Sequence, residues 1–87
     1  MQRVSVPFHL VYPGDVLDLN GQGRFVVVTG VGEDKGGYLV IHAVSADDQP
    51  SQWRYPRKAS SAAFARVGQG CAPTPNGLRS FLIKQQG

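Results

Sequence analysis

Two segments constrain the fold most: "RFVVVTGV" at residues 24–31 and "YLVIHAVS" at residues 38–45. Successive side chains of a strand point to opposite faces, so Phe25 and Val27 stand opposite Val26 and Val28. A strand that is apolar on both faces is a central one, covered on both sides. The same holds for the second segment, which is β-branched and almost wholly apolar. Between them lies "GEDKGG" (32–37), polar, glycine-rich and of hairpin length. No helical periodicity competes across the first 46 residues.

The flanking segments read as further short strands. "PFHLVY" (7–12) alternates and predicts a strand with Phe8, Leu10 and Tyr12 on one face. After a Pro13-Gly14 turn, "GDVLDL" sets Leu17 and Leu19 against Val16 and Asp18, and "NGQG" (20–23) is a hairpin signal. Beyond Ala46 the pattern weakens. "DDQPS" is a loop, "QWRY" a short strand stopped by Pro56, and "RKASSAAFA" one short helical or 3₁₀ turn. "FARV" resumes a strand, "GQGCAPTPNG" (68–77) is a loop, and "LRSFLIKQ" predicts a last strand over 78–84. Eleven Gly and six Pro punctuate the chain often enough to favour short strands over long helices. The expectation is all-β: one domain over residues 1–87, a small, partly open barrel of five to six short antiparallel strands.

The run "YPGDVLDLNGQGRFVVVTGVGEDKGGYLVIHAV" resembles the first three strands of SH3-like barrels. It includes the Gly-Asp-Val opening common in their translation- and transcription-associated members. In that likeness "KASSA" stands where such barrels carry a 3₁₀ turn before the closing strand. The resemblance is at the level of the fold and carries no function with it.

Charge is distributed unevenly. Residues 1–53 hold three cations against six acids, whereas residues 54–87 hold six cations and no acid. That asymmetry predicts either an electropositive surface for an anionic partner or two halves that fold against each other and partly neutralise. The single cysteine, Cys71, has no partner for an internal disulfide, which suits a reducing compartment. The first fifteen residues lack the apolar run of a signal segment, and no stretch reaches membrane-span length, so the expected location is cytoplasmic.

Catalytic and cofactor motifs are not legible. The glycines at 30, 32, 36 and 37 miss the dinucleotide fingerprint because position 35 is Lys, and no Gly-Lys-Ser/Thr is present. Both phosphate motifs also need a helix after the loop, where this chain has a strand. His9, His42 and Cys71 are too dispersed in sequence for a metal signature. Asp47-Asp48 read as solvent-facing loop carboxylates, and Ser60-Ser61 have no histidine near them. The reading is a non-enzymatic protein without cofactor or metal.

What remains is "SQWRYPRKASS" (51–61). Trp53 and Tyr55 offer faces on which bases could stack, and Arg54, Arg57 and Lys58 offer donors to phosphate. Strand alternation divides the patch, because Trp53 and Tyr55 share one face and Gln52 and Arg54 the other. The aromatics are then better read as core or interface anchors. Two functions follow. The first is a basic barrel that binds DNA or RNA through Arg54, Arg57, Lys58 and Arg66, helped by Arg79 and Lys84. The second is a protein-interaction module or inhibitor of the kind carried by phages and mobile elements, pressed on an acidic protein surface or assembled as a homo-oligomer. In the second, Trp53, Tyr55 and the 78–84 segment are the anchors.

Overall fold

A computed structural model describes residues 2–19, 23–59 and 63–86. Its strands are β1 (Val4–Pro7), β2 (Val16–Asp18), β3 (Phe25–Glu33), β4 (Leu39–Ser45), β5 (Pro50–Tyr55) and β6 (Ala63–Gly68). Short 3₁₀ turns lie at Phe8–Leu10 and Arg57–Ala59, and one helix, α1 (Pro75–Gln86), ends the chain. All six strands pair antiparallel in a single unclosed sheet of order β1-β6-β2-β3-β4-β5. The class is all-β, as the sequence predicts, with the helix as an addition.

The two-faced hydrophobicity of β3 and β4 is accounted for by two separate cores. On the inner face Val26, Val28, Ile41 and Ala43 pack with Val6, Val11 and Leu17. On the other face Val16, Val27 and Val44 are covered by Leu78 of α1, with Phe81 and Leu82 packed beside it. Burying one such aliphatic side chain is worth about 1.5–3 kcal/mol. The helix thus contributes a second layer to the sheet. A register shift between Val28 and Gly30 changes the alternation midway along β3. Past it, Gly30 and Gly32 lie opposite His42 and Val40.

Two expected strands are not strands. Over 7–12 the chain leaves β1 at Pro7 and turns, closed by the Val11 N–H donating to the Phe8 carbonyl at 3.0 Å. Pro7 and Pro13 bracket the segment and interrupt any ladder through it. The turn delivers Val11 into the core with Phe8 packed against it and leaves Leu10 and Tyr12 exposed, so the expected common face of Phe8, Leu10 and Tyr12 does not form.

The predicted strand over 78–84 is helical. Thr74 caps it: its Oγ1 accepts the Gly77 N–H at 3.0 Å, its carbonyl accepts the Leu78 N–H at 3.0 Å, and Pro75 takes the first helical position. Leu78, Phe81 and Leu82, spaced three and four apart, form the buried stripe, and Ile83 falls off it into solvent. The loop expected over 68–77 is correspondingly shorter, since Gly68 closes β6 and 75–77 belong to the helix. The "NGQG" hairpin falls largely on 20–22, outside the described residues. The antiparallel β2–β3 pairing and the Leu19 N–H to Arg24 carbonyl bond at 3.0 Å flank it.

Candidate interaction site

Three of the cations of the second half of the chain, Arg54, Arg57 and Arg66, reach acids of the first. Arg54 projects from the outer face of β5 and donates from Nε to Oδ2 of Asp34 at 2.7 Å, while its guanidinium lies 4.6 Å from the centre of the Tyr38 ring. Asp34 holds the β3–β4 turn by accepting the N–H groups of Gly36 and Tyr38 on Oδ1, at 2.9 and 3.0 Å. The Tyr38 bond, helped by Arg54, keeps its carboxyl below the usual aspartate range. Arg57, in the second 3₁₀ turn, pairs with Glu33. Arg66, in β6, lies 3.8 Å from Asp15, a buried residue that also accepts the Tyr12 N–H at 3.0 Å. Arg79 donates from α1 to the Ala46 carbonyl and to Asn76. A further pair, Arg3 Nε to Asp18 Oδ2 at 3.0 Å, ties the residue before β1 to β2.

These groups do not form one patch. Arg54 and Arg57 sit beside the β3–β4 turn, Arg79 reaches Ala46 just past the far end of β4, and Arg66 lies mid-sheet with its side chain 18% exposed. Lys58 and Lys84 are exposed, on different elements. Arg54, Arg57 and Arg66 meet Asp34, Glu33 and Asp15, so the two halves partly neutralise each other, while Lys58 and Lys84 stay exposed.

The aromatics behave as alternation predicts. Along β5, Ser51, Trp53 and Tyr55 are half-buried and Gln52 and Arg54 exposed. Trp53 and Tyr55 pack against the inner core, and the Tyr55 ring meets Phe64 of β6 edge-on, with centroids 5.3 Å apart and planes at 80°. Burial raises the Tyr55 hydroxyl pKa. Trp53 and Tyr55 also line the mouth of the inner face. A cavity of about 380 Å³ opens there, walled by Trp53, Tyr55, Phe64, Leu17 and Leu19. Alternation in "GDVLDL" sets Leu17 and Leu19 on one face, but nothing in the sequence marks either of them, or Phe64, as part of a site. The signal for Phe64 was its place between Ala63 and Ala65 in an alternating strand.

The other reactive groups stay apart. His9 and His42 are exposed on different elements, and the Cys71 thiol is half-buried, its pKa raised by that burial. Among the described residues no group of three His, Cys, Asp or Glu is placed to hold a metal. Asp47 and Asp48 are exposed in the β4–β5 turn, and Ser60 and Ser61 lie outside the described residues. No described helix is long and apolar enough to cross a membrane.

The fold and the site define an all-β domain of six antiparallel strands, backed by a helix and open at an aromatic-walled mouth. No family model, curated protein or solved structure matches this chain.

Proposed function

We propose that this is a non-catalytic protein-interaction module of SH3-like build, which holds an apolar side chain of a partner segment in the mouth between β2, β5 and β6. The strand order β6-β2-β3-β4-β5, with a 3₁₀ turn starting just past β5 on the way to β6, supports the SH3-like assignment. The observation that carries the function is the cavity: about 380 Å³, walled by three aromatic rings, two leucines and two alanines, with Asp18 the one charged residue in its lining. That volume and lining suit one large aliphatic or aromatic side chain. The ion pairs argue in the same direction. Arg54, Arg57 and Arg66 meet carboxylates of the chain itself, so phosphate would have to compete with Asp34, Glu33 and Asp15 for them.

Selection of a displayed random-peptide library against the folded chain tests the reading. Enriched peptides should share an apolar anchor, and their binding should shift the backbone resonances of Leu19, Trp53 and Phe64. Failure to enrich any peptide, or shifts confined to the Arg57–Lys58 turn, contradicts it.

Nucleic-acid binding is the second reading. Its support is the net charge of +3 together with the exposed Lys58 and Lys84. It predicts binding to DNA or RNA at about 50 mM salt that weakens steeply by about 200 mM.

A further inference from the structure

β5 is an edge strand, and among the described residues no strand lies beyond it in the sheet. Which of its backbone groups face outward follows from one hydrogen bond. The Ser45 N–H donates to the Gln49 carbonyl at 3.1 Å, so Ser45 and Gln49 are a hydrogen-bonded pair of the β4–β5 ladder. Hydrogen-bonded and non-bonded pairs alternate along antiparallel strands. Ala43–Ser51, Ile41–Trp53 and Leu39–Tyr55 are therefore bonded pairs, and Val44–Pro50, His42–Gln52 and Val40–Arg54 are not. The backbone groups of Pro50, Gln52 and Arg54 point away from β4. Pro50 fits this register, because a residue without an N–H belongs at an outward-facing position.

The outward edge carries the N–H and C=O of Gln52 and Arg54 and the carbonyl of Pro50. Pro50 and Pro56 bound this edge and Arg54 is its one charge, but that guanidinium is held by Asp34 and no bulge interrupts the strand between the prolines. We propose that β5 pairs antiparallel with β5 of a second copy about a two-fold axis at Trp53. In that register each Gln52 faces Arg54 of the other copy, and the two residues exchange both backbone bonds, giving four in all. Trp53 meets its own counterpart at the central non-bonded pair, on the inner face, where cross-strand aromatic pairs are favourable. The bonding ends where Pro50 falls opposite Pro56, neither having an N–H to give. Centring the axis on Arg54 sets two guanidinium groups against each other. Centring it on Gln52 leaves the Arg54 carbonyl unmatched and separates the tryptophans. The register at Trp53 is the one that uses every outward group of residues 52 and 54 without opposing like charges.

Because Gln52 faces Arg54 across this interface, charge at position 52 sets the strength of the dimer. Sedimentation equilibrium of the full chain, from micromolar to millimolar concentration, reads the dissociation constant. Gln52→Arg should weaken the dimer roughly tenfold and Gln52→Glu should tighten it several-fold, through two symmetric contacts each. Circular dichroism confirms that both variants keep the fold. A monomer at every concentration overturns the proposal, as does a dimer that ignores the charge at position 52 or responds alike to both signs. Peptide capture by the Gln52→Arg variant separates the two ideas: the cavity's mouth can hold a peptide whether or not β5 pairs.

Discussion

The Phe81 ring lies against the α-carbon of Gly68, so close that a Cβ there would fall 2.3 Å from the ring's Cζ. This contact fastens α1 to β6 and lets the helix roof the second core. Gly68→Ala should destabilise the domain by about 1–3 kcal/mol, read as a lower urea midpoint. Adding Phe81→Leu should recover part of the loss relative to the sum of the single changes, since the two positions share one contact.

The β4–β5 turn holds Asp48 at φ 64°, in the left-handed region that favours glycine. The Asp48 N–H returns to the Ser45 carbonyl at 3.1 Å, as in a type I turn followed by a left-handed residue. Asp48→Gly should therefore stabilise the domain by about 0.5–1 kcal/mol, visible as a rise in Tm.

Asp34 ties the β3–β4 turn to Arg54, and its carboxyl ionises below the usual range. A depressed folded-state pKa gives stability that is present above the unfolded value of 3.8 and lost as pH falls through the folded one. The stability difference between the native chain and Asp34→Asn should accordingly be constant near neutrality and close below pH 3.8. Urea midpoints across that range check it.

At alkaline pH the sign reverses. Burial raises the pKa of the Tyr55 hydroxyl and of the Cys71 thiol, so both stabilise the fold in their neutral forms. That contribution is complete below the unfolded values of 10.0 and 9.0 and is lost as pH rises through the folded ones. Thermal melts should show Tm falling above pH 9, less steeply in Cys71→Ser and Tyr55→Phe.

What the sequence made legible was whatever rests on local periodicity. The doubly apolar runs at 24–31 and 38–45 identify β3 and β4 because only a strand covered on both faces tolerates them. Alternation in "QWRY" turns Trp53 and Tyr55 inward, and they are inward. The segment 78–84 misleads because Phe81 and Ile83 alternate around Leu82 as a strand would, although Ile83 lies off the helix's apolar stripe. Thr74-Pro75, a cap and first-turn pair, was the signal that decides it. The ion pairs were illegible for another reason: Arg54 and Asp34 are 20 residues apart and Arg57 and Glu33 are 24 apart, joined only by the β3–β4–β5 register. The cavity likewise takes its walls from three strands.

Trp53 is the chain's single tryptophan and stands in the wall of the cavity, so its fluorescence reports directly on the cavity's mouth. The most direct test is a titration of that emission with a selected apolar-anchored peptide and, separately, with single-stranded DNA and RNA. Occupancy of the mouth predicts a saturable blue shift with peptide, with an affinity that changes little between about 50 and 200 mM salt. An emission that ignores every peptide but follows nucleic acid, with an affinity collapsing over that salt range, would contradict it.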